Sequence, residues 1–335
     1  MDLGDPPVGQ FARGGTSHAG DVTLVHDCRR SVCAAPVAVR WFGGRVRGEM
    51  SDDIAHWSTQ EGALRALLAA RRFGVLSDFD GTLSHFAERP DAATITPASA
   101  HALDRLMGGG ATVALISGRS AGDVRGRFPR AGVCYVGNHG LDRWVGDGVE
   151  LVAEARPWGV ALHDLLAELA PFADPQILVE NKGVTATLHY RAADDPLVAS
   201  AEIEARLRPL CERYGLRLNA GNQVWEIKPP LALDKGTALA AIVAEQGLDG
   251  VLFLGDDTTD LLAMAELRRL RTAHDAGTAP LAGLSVGVMH GLGTPPALRD
   301  FADMIANGPD DVARLLGWLA DESSVVGRQS SEGGA

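Results

Sequence analysis

Several features that are common in proteins are missing from this sequence of 335 residues, and each absence excludes a class of protein. There is no run of about 18 apolar residues, the length that an α-helix needs to cross a membrane. The four cysteines (Cys28, Cys33, Cys134 and Cys211) lack the spacing of a zinc site, which predicts reduced thiols in a cytoplasmic protein. The start of the chain has no basic region followed by an apolar core, so we expect no secretory signal.

Positive charge is also scarce, and lysine is the rarer of the two basic residue types. The formal net charge of −12 argues against nucleic acid or an anionic membrane as a partner. Of 31 basic residues, 28 are arginine and three are lysine: Lys182, Lys228 and Lys235. In such a chain, a lysine indicates a position where a compact ammonium is needed and a planar guanidinium does not fit. We expect a monomer that acts on a small molecule.

Apolar runs alternate with helical patterns through most of the chain. Strands are predicted at 73–78, 112–116, 133–136, 251–254 and 284–288, and helices at 97–107, 236–246, 259–270 and 311–320. This alternation predicts an α/β fold, a doubly wound parallel sheet of Rossmann type. Ligands bind such sheets beyond the carboxyl ends of the strands. Asp78, Ser117, Asn138 and Asp256 all lie at the carboxyl ends of predicted strands, so we expect the site there.

The segment 157–230 interrupts the alternation. Two helices and two hairpins are predicted there, which indicates an α+β cap domain inserted into the sheet domain. We therefore predict a core formed by 51–156 and 231–321. The glycine-rich residues 1–50 are predicted to be a poorly ordered extension, and 322–335 a flexible tail.

Two aspartates directly after the first predicted strand are the strongest local signal of chemistry. Asp78 and Asp80 stand two residues apart, so alternation places both carboxylates on one face of the chain. Two such acids raise each other's pKa, which is costly unless a cation or a proton-transfer role keeps them there. The alternative is a solvated turn, since Asp and Gly favour turns for backbone reasons.

The segment 78–83 resembles the first motif of the haloacid-dehalogenase-like phosphotransferases, and three further motifs follow in order. Ser117 matches the second motif, Lys235 the third and the segment 255–260 the fourth. The catalytic residues that this resemblance implies are Asp78, Asp80, Ser117 and Lys235. Asp78 would be the nucleophile and Asp80 the acid and base, while Ser117 and Lys235 would bind the phosphoryl group.

Five aspartates of these motifs would gather in one cleft, an arrangement that is unstable without a cation. Oxygen ligands beside a phosphate substrate indicate Mg²⁺. The resemblance implies that Asp78, the Asp80 carbonyl and Asp256 bind the ion directly, and that Asp257 or Asp260 acts through water.

The predicted cap carries acids and lysines two residues apart, at Glu180 and Lys182 and at Glu226 and Lys228. Alternating acceptors and donors suit a polyhydroxyl sugar, although a sheet face in water has the same polarity. Together with the segments 137–140 and 254–260, these residues resemble trehalose-6-phosphate phosphatases over about 72–320. The implied substrate contacts are Arg119, Asn138, His139, Glu180, Lys182, His189, Arg191, Glu226 and Lys228.

The resemblance implies hydrolysis of trehalose 6-phosphate in trehalose biosynthesis. The sequence departs from this family at Leu261-Leu262, where an acidic pair is usual. Three alternatives stay open at this point. The first is another sugar phosphate, such as sucrose-, glucosylglycerol- or mannosylglycerate-phosphate. The second is a hexose-phosphate mutase, and the third is a non-catalytic sensor, which would not need Asp80.

Overall fold

The computed structural model describes residues 54–87, 90–170, 174–221, 223–273 and 281–332, all within the compact unit Arg47–Ala335. The predicted extension at 1–50 lies outside these residues. The described strands are β1 (Phe73–Ser77), β2 (Thr112–Ile116), β3 (Cys134–Gly137), β4 (Asp142–Val145), β5 (Gly148–Leu151), β6 (Leu178–Asn181), β7 (Ala186–His189), β8 (Arg217–Gly221), β9 (Val224–Lys228), β10 (Gly250–Gly255), β11 (Ala282–Val288) and β12 (Met304–Ala306). The described helices are α1 (Glu61–Leu68), α2 (Pro97–Gly108), α3 (Ala121–Arg127), α4 (Arg156–Leu169), α5 (Pro196–Tyr214), α6 (Lys235–Gln246), α7 (Asp260–Thr272), α8 (Leu298–Phe301) and α9 (Gly308–Glu332).

Eight strands form the larger sheet, in the order β12-β11-β10-β1-β2-β3-β4-β5. The six strands from β12 to β3 are parallel to their neighbours, and β4 and β5 add an antiparallel hairpin at one edge. Because Ser77 pairs with both Leu254 and Leu115, the carboxyl ends of β1, β2 and β10 lie side by side. This sheet confirms the predicted α/β fold class.

Helices cover both faces of this sheet, as the apolar strands require. Val75 of β1 faces the core that α1, α2 and α9 share, whereas the next residue, Leu76, faces the core that α6 and α7 share. All five residues of β1 are buried, as expected of a central strand covered by helices on both faces. Within the described residues, no helix has both the length and the apolar content needed to cross a bilayer.

A second sheet of four antiparallel strands, β6-β7-β9-β8, lies within the segment predicted as the cap. Helices α4 and α5 pack on one face of it, against Ala186, Leu188 and Ile227. Thr187 pairs with Glu180 on one neighbouring strand and with Glu226 on the other, so these three side chains share the opposite face. The domain boundaries at 157 and 230 remain a prediction.

The structure also differs from the predicted elements. Helix α9 continues to Glu332, although a flexible tail is predicted from residue 322. No strand is predicted at 142–151, where β4 and β5 form the edge hairpin around Gly146, whose φ is +55°. Two of the four residues of β5, Gly148 and Glu150, are glycine or charged, and the hairpin lies at an edge, so its pattern lacks the apolar run of the central strands.

Candidate active site

The site is built where three adjacent strands of the large sheet end. Asp78 follows β1, Ser117 follows β2 and Asp256 follows β10, so the parallel order brings all three to one edge. Lys235 arrives from α6, of which it is the first residue. The preceding Asp234 caps that helix by accepting a hydrogen bond from the backbone N–H of Thr237 at 2.9 Å.

A cavity of about 690 Å³ opens between these strand ends and the cap sheet. Its walls contain most of the residues that the sequence predicts for the site. The core contributes Asp78, Asp80, Ser117, Arg119, His139, Lys235, Asp256 and Asp257, and the cap contributes Glu180, Lys182, His189, Glu226 and Lys228. Three predicted residues, Asn138, Arg191 and Asp260, do not line it.

Lys235 is buried between two carboxylates. Its Nζ lies 2.8 Å from Asp78 Oδ1 and 2.8 Å from Asp260 Oδ1, and only 2% of its side chain is exposed. Burial alone lowers the pKa of Lys235, but Asp260 and Asp78 raise it overall, so the ammonium stays charged. Burial raises the pKa of Asp78 well above its usual value, against the opposing effect of Lys235.

A cluster of acids beside Lys235 fits a divalent cation. Carboxylate oxygens of Asp78, Asp256 and Asp260 lie within 4.8 Å of one another, and all three residues are buried. Gly81, with φ at +76°, leaves room for the cluster, because a Cβ there would come 2.2 Å from Asp256 Oδ2. Oxygen ligands of this kind suit Mg²⁺.

Within that cluster, Asp260 has a different position from the other two acids. Its Oδ2 accepts hydrogen bonds from the backbone N–H groups of Asp256 and Asp257, both at 3.0 Å, and its Oδ1 accepts from Lys235. Both oxygens are thus occupied, and burial raises the pKa of Asp260 to about 6 despite Lys235. Asp260 therefore shapes the loop that presents Asp256.

The carboxylate of Asp80 is held by Arg119. The Nε and Nη2 groups of Arg119 donate to its two oxygens at 2.6 and 2.7 Å, and Nη1 donates to Asp123 at 2.8 Å. These two acids raise the pKa of Arg119, although its burial opposes them. Arg119 lines the cavity, and the sequence did not predict that it would bind the second aspartate of the first motif.

His139 forms part of the cavity wall in an unusual backbone conformation. Its φ is +57°, and within the described residues its buried Nδ1 has no hydrogen-bond partner. Burial lowers its pKa well below the usual value, and the nearby charges of Lys235, Lys228 and Lys182 lower it further. The imidazole is therefore neutral, and one of its nitrogens is available to a ligand.

The cap side of the cavity carries the two predicted acid–lysine pairs. Glu180 Oε2 lies 3.1 Å from His189 Nε2 and 3.6 Å from Lys182 Nζ. Lys228 Nζ lies 2.6 Å from Glu226 Oε2. Burial alone raises the pKa of Glu180, but His189 and Lys182 lower it overall, so this carboxylate is charged. The cap thus presents acceptors and donors to the same cavity as Asp78.

Two predicted substrate contacts need correction. Asn138 is fully buried, and both N–H donors of its amide are already used, by the Asp142 carboxylate and the Lys182 carbonyl. Arg191 is exposed and donates to Gln223 at 2.9 Å, outside the cavity. Strand β7 ends at His189, so the alternation along the strand no longer determines the direction of the Arg191 side chain.

The sequence also missed several cavity residues, among them Phe86, Gly293 and Pro295, and it assigned no role to Thr258 and Thr259 of the fourth motif. Phe86 is 66% exposed, and its ring packs 4.8 Å from that of His290, whose Nε2 lies 3.5 Å from Asp256 Oδ2. Phe86 stands close to the first motif, so that proximity was the available signal. His290 lies two residues beyond the predicted strand 284–288, so its place at a strand end was the available signal.

Comparison with known proteins identifies relatives of this chain. The chain matches the trehalose-phosphatase family over residues 76–278. A trehalose-phosphate phosphatase of Mycobacterium tuberculosis is 35% identical over 234 residues, which cover 67% of this chain and 57% of that protein. One of Mycobacterium marinum is 33% identical over 286 residues, which cover 81% of this chain and 69% of that protein. The chain thus spans little more than half the length of the first relative.

Solved structures show the same architecture. The C-terminal domain of a trehalose-6-phosphate phosphatase from C. albicans matches with a TM-score of 0.62 at 22% identity, covering 81% of this chain and 99% of that one. At this identity the likeness concerns the fold. Together, these matches confirm the resemblance that the motifs indicate.

Proposed function

Because the chain belongs to the trehalose-phosphatase family, we propose that it hydrolyses trehalose 6-phosphate to trehalose and inorganic phosphate. One observation supports this proposal above the others: a single cavity contains both the buried acids around Lys235 and the acid–lysine pairs of the cap. The end of the cavity with the buried acids and Lys235 suits a phosphoryl group, and the end with the acid–lysine pairs suits a sugar with many hydroxyls.

The residues that would hold a Mg²⁺ ion are Asp78, Asp256 and the carbonyl of Asp80. When bound, the ion supplies positive charge to the phosphoryl oxygens. Lys235 supports the same group from the protein side. Its ion pair with Asp78 Oδ1 holds that carboxylate by one oxygen and leaves the other oxygen to attack.

The reaction would proceed in two displacements at phosphorus. Asp78 attacks the phosphoryl group, the bond from phosphorus to the sugar oxygen breaks, and Asp80 gives that oxygen a proton. Asp80 then takes a proton from water, which attacks the aspartyl-phosphate and releases phosphate. Since both oxygens of Asp80 accept from Arg119 in this structure, one of those bonds must be exchanged before Asp80 can act.

The cap would choose the sugar. Glu180 and Glu226 accept hydrogen bonds from hydroxyls, and Lys182 and Lys228 donate to their oxygens. These contacts would also orient the distant phosphoryl group for attack by Asp78.

Measurement of phosphate release over a panel of sugar phosphates tests the proposal. We expect the highest kcat/KM with trehalose 6-phosphate and lower values with sucrose, glucosylglycerol and hexose phosphates. A preference for another sugar phosphate would refute the substrate. Turnover of a hexose phosphate without free phosphate would instead identify a mutase, and binding without turnover would identify a sensor.

A further inference from the structure

Asn138 connects the core to the cap. Its Nδ2 donates to Asp142 Oδ2 in the core at 2.7 Å and to the backbone carbonyl of Lys182 in the cap at 3.0 Å. Its Oδ1 accepts from the hydroxyl of Thr185, also in the cap. The side chain is completely buried, so no water replaces these bonds.

The partners of Asn138 determine which way its amide faces. Asp142 and the Lys182 carbonyl can only accept, so both must face the NH₂ group, while the Thr185 hydroxyl donates to the oxygen. A flipped amide would place its oxygen against a carboxylate and a carbonyl. Asp142 is itself held in place, because its Oδ1 accepts from the backbone N–H of Ala121 at 3.0 Å. The orientation of Asn138 is therefore fixed from the core.

The backbone around Asn138 joins the phosphoryl end of the site. Its N–H donates to the Arg119 carbonyl at 2.7 Å, and the next N–H, of His139, donates to the Ser117 carbonyl at 2.9 Å. Asn138 has a φ of +48°, a conformation that asparagine tolerates better than most residues. One residue thus contacts the loop after β2 through its backbone and the cap hairpin through its amide.

We propose that Asn138 is a positioning residue that holds the turn of the cap hairpin, and with it the ammonium of Lys182, in place against the loop after β2. Lys182 Nζ reaches back to the Gly118 carbonyl at 3.4 Å, so a shift of the turn moves this donor relative to Ser117 and Asp78. The identity of the substrate in this proposal rests on the proposed function, but the contacts between the core and the cap do not depend on it.

Two variants test this role. Asn138→Gly removes the amide and keeps the positive φ accessible, whereas Thr185→Val removes only the hydroxyl bond in a side chain of similar shape. For each, kcat/KM is measured with trehalose 6-phosphate and with glycerol phosphate, which is too small to reach the cap. Hydrogen exchange is followed in peptides covering 178–190 and in peptides covering β2 and β3, together with the melting temperature.

We expect the ratio of the two kcat/KM values to fall by about tenfold to a hundredfold in Asn138→Gly. The fall in Thr185→Val should be about fivefold, the equivalent of one hydrogen bond of about 1 kcal/mol. Exchange should become faster in 178–190 and stay unchanged in β2 and β3.

Equal losses on both substrates with faster exchange throughout the core would refute the proposal and make Asn138 a structural residue of the core. Unchanged exchange in 178–190 would refute it as well. If the parent protein does not hydrolyse trehalose 6-phosphate, the proposed function fails, and the exchange comparison alone decides on the role of Asn138.

Discussion

Replacement of the cap lysines by arginine is a sharp test of how the sugar is recognised. Lys228 Nζ lies 2.6 Å from Glu226 Oε2 and Lys182 Nζ lies 3.6 Å from Glu180 Oε2, each on the wall of the cavity. An arginine at either position keeps the charge, but its planar fork favours two parallel bonds to the neighbouring glutamate. Both the donor and the acceptor would then be lost to the sugar.

The expected loss follows from the bonds at stake. A hydrogen bond to a charged group contributes about 1.5–3 kcal/mol. Since each 1.4 kcal/mol corresponds to about a factor of ten, kcat/KM with trehalose 6-phosphate should fall about tenfold to a hundredfold for each replacement. The side chains of Lys182 and Lys228 are 15% and 24% exposed, so solvent replaces little of what is lost.

The assay compares phosphate release from trehalose 6-phosphate with hydrolysis of p-nitrophenyl phosphate, which needs no sugar contacts. Lys182→Arg and Lys228→Arg should lower only the first activity. Lys235→Arg should lower both, because Lys235 is buried against Asp78. Arg213→Lys is the matched control, since Arg213 pairs with Glu168 on the outer surface of the cap. Equal losses on both substrates for the cap variants, or no loss at all, would refute the reasoning.

Three further predictions concern the nucleophile, the metal and the start of the core. Asp78→Asn should abolish turnover without unfolding the protein, and near-parental phosphate release by this variant would contradict the assignment. Asp80→Asn should be comparably inactive, and if its first step survives, some aspartyl-phosphate should be trapped and detectable by mass spectrometry. Excess chelator should abolish activity, and Ca²⁺ should inhibit it. Saturating Mg²⁺ should raise the melting temperature of the parent and not of Asp256→Asn. At a hundred times Kd, binding adds about 2.7 kcal/mol to the free energy of unfolding. A chain beginning at Met50 should keep its activity and melting temperature. Trp57→Phe should instead lower the free energy of unfolding by about 1–3 kcal/mol, measured by urea unfolding, because Trp57 Nε1 donates to the buried Asp311 at 2.8 Å.

The sequence was sufficient for the parts of the site that depend on local pattern. A strand that ends in Asp78 and Asp80, a serine after the next strand and a lysine at the start of a helix could be read from apolar runs and from the residues directly after them. The same holds for the acid–lysine pairs of the cap, since alternation in a strand assigns Glu226 and Lys228 to one face whatever surrounds them.

Tertiary structure alone decided which partners the polar groups have. Arg119 holds Asp80, and Asn138 holds the cap turn instead of facing the substrate. Asp260 supports the loop of Asp256, and His290 reaches that acid from a distant strand. From its own segment alone, each of these side chains could equally have contacted a phosphate, a metal or solvent. A buried polar group without a hydrogen bond is costly, so most of these groups have a partner, and that partner comes from whichever segment the fold packs against them. Which reactive side chains lie at the strand ends is therefore determined locally. The role of each of these residues is determined by contacts between segments far apart in the chain.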